Sequence, residues 1–433
     1  MHRHVHRVAG YLQQLGVGKI ACQLPNSPDL ISLVLASAVT GTSLTLLNPD
    51  YSEQQVRDLA LELEIGLLVL VEPLAGHLPC QQITSQALQE LDGKPQVQDT
   101  QGSFAEVDSE LLILTSGTTE QPKCVSYRWS DLLQQVQTGY QGQGDRWLLA
   151  YKLNHFAGVQ MLAHILVTGG TLVLAESSRV ADAVGAMTSL GVSHVSSTPT
   201  FWRFALNLLA NADSLPKLRQ ITLGSEPVSA NLLDQLAALF PTARIVHIYA
   251  LTEAGSCISV SDGKPGLPIA VLDRAADARV RFRIRDDELL VKTLHGMRGY
   301  RMLSGDAARD GDGWFCTGDL VRIEDDRILF VGRKSETINV GGVKVHPLEV
   351  ENVIAALPGV KLALAYGLDN PIVGQIVAVD LMINDGWCPQ AVEDSVRTAC
   401  QCLPRHSRPR RINIVENIET NNYKLARRGV KRK

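Results

Sequence analysis

Several features that define a protein class are missing from this sequence. None of its eight cysteines forms a Cys-x-x-Cys pair, so neither a zinc site nor a disulfide framework is indicated. No charge of one sign dominates, because 41 basic residues stand against 45 acidic ones. A net charge of −4 argues against a nucleic-acid partner or an anionic membrane surface.

A long apolar run is missing as well. The uncharged stretch at residues 31–47 contains serines, threonines and a glycine, and it is too short and too polar for a membrane-spanning helix. The first residues, Met-His-Arg-His-Val-His-Arg, lack the apolar centre of a signal peptide. These observations predict a cytoplasmic protein without a membrane span.

The sequence does contain a repeated alternation of helix and strand patterns. Strand-like segments lie at 19–24, 44–47 and 66–71, with helix patterns between them. One helix opens at Ser27-Pro28, and another opens at a capping box of Ser52 and Gln55. The alternation returns between residues 147 and 249, which predicts doubly wound α/β structure. Residues 73–107 are weakly patterned, and we interpret them as a surface connection.

The pattern changes near Gly266. Short alternating segments at 278–285, 288–292 and 327–331 predict a β-rich subdomain, and the residues beyond Gly332 mix strands with a helix at 348–356. A chain of 433 residues is too long for one compact core. We therefore predict a large N-terminal domain over residues 1–332 and a small mobile α+β domain over residues 333–433.

The segment that follows the strand at 111–114 has an unusual composition. It runs Thr-Ser-Gly-Thr-Thr-Glu-Gln-Pro-Lys from Thr115 to Lys123. Backbone N–H groups, hydroxyls and a cation in one loop are the groups that hold a phosphate. An ordinary polar turn between a strand and a helix is the alternative, and the loop alone does not decide between them.

Further polar groups stand at other strand ends. The segments are Gly224-Ser-Glu226, Tyr249-Ala-Leu-Thr-Glu253, Thr317-Gly-Asp319 and the stretch from Gly332-Arg333 to Glu351. The last three of these segments, in this order and together with Asn48-Pro49, the loop at 115–123 and the segment 420–427, resemble the adenylate-forming superfamily of AMP-binding enzymes. That superfamily includes acyl- and aryl-CoA synthetases, adenylation domains and luciferases. Six motif matches in the family's order are far more specific than any one of them.

The resemblance implies an ATP-dependent acid–thiol ligase. A carboxylic acid would attack the α-phosphate of ATP, giving an acyl-adenylate and pyrophosphate. The acyl group would then pass to CoA or to the phosphopantetheine of a carrier protein supplied in trans, since no carrier-like domain follows Lys433. Glu253 would ligate Mg²⁺, a hard cation that prefers oxygen ligands, and Thr252 would contact the α-phosphate. The implied triphosphate contacts are Thr115, Ser116, Gly117, Thr118, Thr119 and Lys123.

The nucleoside would be held by a second set of residues. Tyr249 would stack on adenine, helped by the turn of Gly224, Ser225 and Glu226. Asp319 would accept hydrogen bonds from both ribose hydroxyls, with Arg333 in support. Lys424 would bridge the attacking carboxylate and the α-phosphate in the transition state; its alternative is one more cation in a basic tail.

The remaining implied roles each have a structural alternative. His155 would gate the carboxylate site, although a lone histidine is more often structural. Trp202 and Ala250 would line the acyl pocket, with helix core as the alternative for Trp202. Gly341 and Gly342 would line the thiol tunnel, with a surface turn as the alternative. The small domain would pivot near Ser335.

Four positions depart from the family pattern. Glu120, Cys124, Ala250 and Tyr423 stand where glycine is usual. A carboxylate beside a triphosphate is electrostatically adverse, and a loop without glycine is stiffer. Two alternatives stay open: adenylation with transfer to a non-thiol nucleophile, and a degenerate nucleotide-binding protein without turnover. The sequence identifies neither the acid nor the oligomeric state, for which a homodimer is one alternative.

Overall fold

The structure is a computed structural model that describes residues 1–93, 109–115, 122–136, 139–210, 212, 214–302, 309–421 and 424–425. The chain forms two compact units. The first unit comprises Met1–Leu174, Ala250–Ser256 and Thr293–Ala307, and the second comprises Ala175–Tyr249, Cys257–Lys292 and Ala308–Lys433. The domain boundary predicted between residues 332 and 333 does not coincide with the division into these two units, and it stays a prediction.

The described part of the chain contains the α-helices α1 (His2–Leu15), α2 (Pro28–Thr40), α3 (Glu53–Glu62), α4 (Ser85–Gln89), α5 (Trp129–Gln134), α6 (Phe156–Thr168), α7 (Val180–Ser189), α8 (Pro199–Leu209), α9 (Ala230–Leu239), α10 (Pro347–Ala355) and α11 (Pro389–Ala399). Its strands are β1 (Lys19–Gln23), β2 (Ser43–Leu46), β3 (Leu67–Leu70), β4 (Gln81–Thr84), β5 (Glu110–Thr115), β6 (Lys123–Arg128), β7 (Arg146–Leu149), β8 (Thr171–Val173), β9 (His194–Ser197), β10 (Gln220–Gly224), β11 (Arg244–Leu251), β12 (Gly255–Val260), β13 (Leu267–Pro268), β14 (Val280–Arg285), β15 (Glu288–Thr293), β16 (Gly299–Tyr300), β17 (Phe315–Glu324), β18 (Arg327–Arg333), β19 (Ile338–Val340), β20 (Val343–Val345), β21 (Val360–Asn370), β22 (Gly374–Ile383), β23 (Arg411–Ile414), β24 (Thr420–Asn421) and β25 (Lys424–Leu425).

The first unit is built on a sheet with the order β16-β6-β5-β2-β1-β3-β4. Its strands from β5 to β4 pair in parallel, as the alternating pattern predicts. The helices between them begin as the sequence indicates. Ser27 caps α2 by accepting from the Leu30 N–H, and Ser52 and Gln55 form the predicted capping box of α3. Both predicted helix starts are confirmed.

One edge of this sheet is antiparallel. β5 and β6 form a hairpin, and β16 pairs antiparallel with β6. The predicted phosphate loop therefore connects two strands, and the alternative of a turn between a strand and a helix is wrong. The interpretation of residues 73–107 as a plain surface connection is also wrong in part. β4 extends the parallel sheet beside β3, and α4 follows it directly.

In the second unit, β9, β10 and β11 pair in parallel, which continues the doubly wound pattern. A separate sheet with the order β13-β18-β17-β15-β14 forms the β-rich portion predicted beyond Gly266. A further sheet is made by β19 to β23, with α10 and α11 packed on it through Val350, Ile354 and Val396. The change from one sheet to the next falls between Arg333 and Ile338. Among the helices described, none is long and apolar enough to cross a membrane.

Candidate active site

The first unit holds both ends of the predicted phosphate loop. Thr115 ends β5, Lys123 begins β6, and the two residues are paired in the hairpin. The Thr115 hydroxyl donates to the Lys123 carbonyl oxygen at 3.4 Å. The loop residues Ser116, Gly117, Thr118, Thr119 and Glu120 lie outside the described residues. The hairpin thus fixes where the loop leaves and re-enters the sheet.

Cys124 belongs to the core of the first unit. Its side chain is fully buried, and it packs in one apolar cluster with Leu112 and Leu114. Burial, followed by the negative charge of Glu110, raises the pKa of the thiol to about 12. Cys124 therefore stays neutral near pH 7 and adds no charge beside the loop.

Lys123, Tyr300 and Glu253 form a row of polar groups. The Lys123 ammonium lies 5.3 Å from the centre of the Tyr300 ring, within reach of a cation–π contact. The Tyr300 hydroxyl donates to Oε1 of Glu253 at 3.2 Å. The Tyr300 side chain therefore contacts both Lys123, the predicted phosphate cation, and Glu253, the predicted metal ligand. Sequence reasoning missed Tyr300, because its strand is only two residues long.

The backbone around Glu253 is fixed by close packing. The Glu253 carbonyl oxygen accepts from the Met297 N–H at 2.9 Å. A Cβ at Gly296 would lie 2.8 Å from that same oxygen, so only glycine allows this approach. Ala250 ends β11 with Leu251, and Thr252 follows the strand directly, half-buried. The predicted metal ligand thus sits on a constrained turn.

Gln135 ties this turn to the neighbouring segment. Its Nε2 donates to the His295 carbonyl oxygen at 2.7 Å, and its Oε1 accepts from the Ser256 N–H at 3.1 Å. Gly255 has a φ of +78°, and a Cβ there would lie 2.4 Å from the Gln135 amide oxygen. Gln135 is a second residue that sequence reasoning missed, since nothing in its local pattern points to a contact so distant along the chain.

His155 lies immediately before α6 and is half-buried. The segment that leads to it is fixed by Asn26. The Asn26 amide donates to the Tyr151 carbonyl oxygen at 2.8 Å and accepts from the Leu153 N–H at 2.9 Å. This arrangement places His155 at the start of a helix in the first unit, and its gating role stays a prediction.

The second unit contains a chain of three polar side chains. The Tyr249 hydroxyl donates to Oδ2 of Asp319 at 2.8 Å, and Arg333 Nε lies 2.9 Å from Oδ1. Asp319 is 7% exposed, so this carboxylate is held in place with little contact to solvent. Burial of the Tyr249 phenol is the main cause that raises its pKa well above the usual value, and the negative charge of Asp319 is the second. The phenol therefore remains a hydrogen-bond donor to Asp319.

Local strand geometry explains the position of Asp319. β17 and β18 are antiparallel, and Asp319 and Arg333 are partners in their register. The Asp319 N–H donates to the Thr317 hydroxyl at 3.0 Å. The Tyr249 ring stacks on Phe330 with 5.0 Å between centroids, which orients its phenol. The predicted nucleoside residues Tyr249, Asp319 and Arg333 are therefore brought together.

The turn after β10 is also constrained. Ser225 has a φ of +68°, a left-handed conformation that is uncommon for residues other than glycine. Glu226 follows it, and its Oε2 accepts from the Thr200 N–H at 2.9 Å. The predicted role of Gly224, Ser225 and Glu226, a turn that helps Tyr249 to hold adenine, stays a prediction.

Lys424 stands in β25, next to Leu425, whose N–H donates to Oε1 of Glu226 at 3.1 Å. The crowding of protein atoms around the ammonium lowers the pKa of Lys424, and Arg333 adds to this shift. Glu226, Glu336 and Asp319 oppose it, and the residue as a whole keeps an exposed surface. The ammonium thus lies in the field of Asp319 and Arg333, the predicted ribose contacts.

The last predicted residues lie elsewhere in the second unit. Trp202 is fully buried in α8, edge-on to Phe201 and Phe240, as expected for a core residue. Its predicted lining of an acyl pocket is not tested by this packing. Gly341 and Gly342 form the turn between β19 and β20, with φ values of +59° and +85°. That turn requires glycine whatever else it contacts.

A metal would find few protein ligands at this site. Within the described ranges, no group of three or more His, Cys, Asp and Glu side chains is arranged to hold a metal. Glu253 fits Mg²⁺ because its hydrogen bond from Tyr300 uses one of several acceptor positions on the carboxylate. Mg²⁺ commonly relies on one or two carboxylates plus substrate phosphates, so one carboxylate beside a phosphate loop suits it.

Known proteins resemble this chain over most of its length. A 2-succinylbenzoate–CoA ligase of Bacillus pumilus is 27% identical, with 99% of this chain and 91% of that protein covered. A 2-succinylbenzoate–CoA ligase of Geobacillus kaustophilus is also 27% identical, with coverages of 97% and 89%. These relatives agree with the prediction of an AMP-forming acid–thiol ligase.

Solved structures share the fold. The anthranilate CoA ligase AuaEII in complex with anthranoyl-AMP superimposes with a TM-score of 0.84 at 17% identity, covering 98% of this chain and 89% of that one. The o-succinylbenzoate CoA synthetase of Bacillus subtilis in complex with its acyl-adenylate has a TM-score of 0.76 at 22% identity, with coverages of 99% and 91%. The predicted fold class is confirmed. The model of the family described as AMP-binding enzyme matches residues 1–301, and the chain therefore belongs to that family.

Proposed function

We propose that this protein activates an aryl carboxylic acid of the 2-succinylbenzoate type with ATP and transfers it to CoA. The observation that carries the proposal is the row of Tyr249, Asp319 and Arg333, which offers a stacking ring and a fixed acceptor to a nucleoside. The two relatives described above, each 27% identical to this chain, support the choice of the acid and of the thiol. The row supports nucleotide binding, and the relatives support the substrates.

In the first step, a carboxylate oxygen of the acid attacks the α-phosphorus of ATP. The bond from that phosphorus to the bridging oxygen breaks, and pyrophosphate leaves. Lys123 and the Thr115 end of the hairpin attract the leaving phosphates, and Glu253 would hold Mg²⁺, which neutralises charge on phosphate oxygens when bound. Thr252 is half-buried beside Glu253 and would donate its hydroxyl to the α-phosphate.

Lys424 would stabilise the charge that concentrates between the two reactants. A cation aimed at the developing charge of a transition state lowers the barrier more than one that binds the ground state. In the second step, the CoA thiolate attacks the acyl carbon, and AMP leaves. Gly341 and Gly342 would lie along the thiol path, and His155 would close the carboxylate side.

Two further predicted partners are kept only as alternatives to the proposed ones. A carrier-protein phosphopantetheine in place of CoA, and a homodimer, are alternatives that no contact among the described residues favours. A cytoplasmic location also stays a prediction. CoA is the acceptor we propose, because the two relatives described above are named as CoA ligases.

A panel of acids tests this function. Purified protein is incubated with ATP, Mg²⁺, CoA and 2-succinylbenzoate, anthranilate, benzoate or acetate, and thioesters are detected by mass spectrometry. We expect 2-succinylbenzoyl-CoA to form fastest. Pyrophosphate exchange without any thioester would favour a different acceptor, and ATP binding without exchange would favour a protein that has lost turnover.

A further inference from the structure

The carboxylate of Glu226 makes contacts that an adenine-side turn does not require. We propose that Glu226 is a positioning residue that fastens the Lys424 hairpin, defined as β24 and β25, for the acid-activation step. Glu226 acts on the reaction through the hairpin rather than by touching the reactants. This inference rests on the proposed function of Lys424.

Both oxygens of the Glu226 carboxylate are used. Oε1 accepts from the Leu425 N–H and from the Thr200 hydroxyl, each at 3.1 Å. Oε2 accepts from the Thr200 N–H at 2.9 Å. Hydrogen bonds to an ionised carboxylate are among the stronger ones in proteins. The carboxylate is thus a bridge between Thr200 and the residue that follows Lys424.

The Thr200 side of the bridge is rigid. Thr200 is fully buried in the first turn of α8, and the Thr198 hydroxyl caps that helix by accepting from the Phe201 N–H at 3.0 Å. Ser225, in its left-handed conformation, fixes the backbone that precedes Glu226. The backbone and the carboxylate of Glu226 are therefore both held by contacts outside the hairpin.

The hairpin, by contrast, has little structure of its own. Its two strands have two residues each, and a short two-stranded hairpin is marginal in water. One external support is apolar: Leu425 packs against a cluster that contains Leu362, Leu364 and Ile418. The bond from Leu425 to Glu226 is the polar support adjacent to Lys424. Losing it would remove a charge-assisted contact from the residue that directly follows Lys424.

This arrangement separates the two chemical steps. Lys424 serves the attack on ATP, so loosening its hairpin should slow adenylation. In the proposed mechanism Lys424 has no part in the attack of the thiol on a finished acyl-adenylate, so that step should be spared. A residue that merely stabilised the unit would slow both steps, and a residue that bound adenine would raise the KM for ATP.

The test compares Glu226→Ala, Glu226→Gln and Thr200→Val with a control, Glu393→Gln, which alters a surface ion pair with Arg397 on α11. Adenylation is followed by pyrophosphate exchange, and thiol transfer is followed from chemically prepared acyl-adenylate and CoA. For Glu226→Ala we expect kcat of adenylation to fall about tenfold to a hundredfold, as for loss of a charge-assisted bond. We expect KM for ATP and the thiol-transfer rate to change less than about threefold.

The conservative variants should grade the effect. Glu226→Gln keeps one carbonyl acceptor and Thr200→Val keeps its N–H, so each should lose less than Glu226→Ala. Equal losses in both steps, or a rise confined to KM for ATP, would overturn the proposal. Thermal unfolding of every variant shows whether Glu226→Ala still folds, and the two conservative variants carry the test if it does not.

Hydrogen exchange separates this inference from the proposed function. The amides of residues 420, 421, 424 and 425 should exchange faster in Glu226→Ala than in the parent protein, with no substrate present. If the parent protein turns over no acid, the proposed function fails. Hydrogen exchange then still shows whether Glu226 holds the Lys424 hairpin in place. Unchanged exchange of those amides in a folded Glu226→Ala protein would contradict the fastening, whatever the activity.

Discussion

The candidate site residues form two sets, the nucleoside half within the second unit and the phosphate half within the first, and each set is assembled in its own way. In the second unit, Asp319 and Arg333 are register partners on two adjacent antiparallel strands. In the first unit, Glu253 is supported by Tyr300 and by the clamp of Gln135, which come from separate stretches of the chain. One half is therefore largely a product of local pairing, while the other depends on tertiary packing. Substitutions in the two halves should therefore affect binding, activity and stability in different ways.

The largest effect is expected at Lys424, in the second unit. Lys424→Ala should lower pyrophosphate exchange by about a hundredfold to a thousandfold, as for removal of a group that stabilises transition-state charge. Folding should be unaffected, since the residue keeps an exposed surface. Lys217→Ala, at another exposed lysine of this unit, is the control. Normal exchange in Lys424→Ala would remove Lys424 from the mechanism.

The next effect concerns the nucleoside half. Asp319→Asn should weaken ATP binding by about tenfold to a hundredfold, because a charged acceptor for two hydroxyls becomes a neutral one with a donor on one side. Equilibrium binding of ATP in the absence of acid measures this directly. Asp326→Asn, which alters an exposed ion pair with Lys264, should bind ATP like the parent protein. Equal affinity in the Asp319 variant would show that this half does not hold the ribose.

A smaller effect is expected in the phosphate half, at Tyr300. Tyr300→Phe loses the hydrogen bond to Glu253 but keeps the ring below Lys123, so adenylation should fall about threefold to tenfold. Tyr300→Leu also loses the cation–π contact, and a further factor of about two to five is expected. The Mg²⁺ dependence of exchange should shift in both variants. An unchanged Mg²⁺ dependence would mean that the phenol does not orient the metal ligand.

The difference between the halves also explains what the sequence could predict. Asp319, Arg333 and Lys123 stand in short motifs that predict strand ends. The structure places Arg333 and Lys123 at such ends, whereas Asp319 lies in the middle of β17. The sequence did not predict the roles of Tyr300 and Gln135, because their contacts join segments far apart in sequence. No local periodicity encodes such contacts. Boundaries of the central helices and strands followed their patterns closely. The two-residue strands β13 and β16 were not predicted because they are too short to show a period, and β4 (Gln-Gln-Ile-Thr) was not predicted because it has no apolar run.

Gln135 tests the packing of the first unit through stability. Gln135→Ala leaves the Ser256 N–H and the His295 carbonyl without these bonds, so the free energy of unfolding should fall by about 1–3 kcal/mol. Chemical denaturation measures the loss. Gln54→Ala, which removes only a surface bond to Asp58, should change stability by less than about 0.5 kcal/mol. A Gln135 variant as stable as the parent would show that the turn does not need the clamp.

The smallest effect is expected at Cys124. Because burial raises the pKa of its thiol to about 12, the folded protein holds this proton more tightly than the unfolded chain does. Its contribution to stability is therefore complete below about pH 9 and is lost as pH rises toward about 12. At pH 8, alkylating reagents should modify the exposed Cys388 and Cys402 but not Cys124, as peptide mass spectrometry can show. Rapid labelling of Cys124 in folded protein would contradict its place in the core.

Attack of the acid on the α-phosphate of ATP is the step on which the proposed function depends most. The most direct measurement uses 2-succinylbenzoate labelled with oxygen-18 in its carboxylates, together with ATP, Mg²⁺ and CoA. After turnover, AMP should carry one labelled oxygen for each thioester formed, and pyrophosphate should carry none. Thioester formation with unlabelled AMP, or label in pyrophosphate or phosphate, would contradict the account.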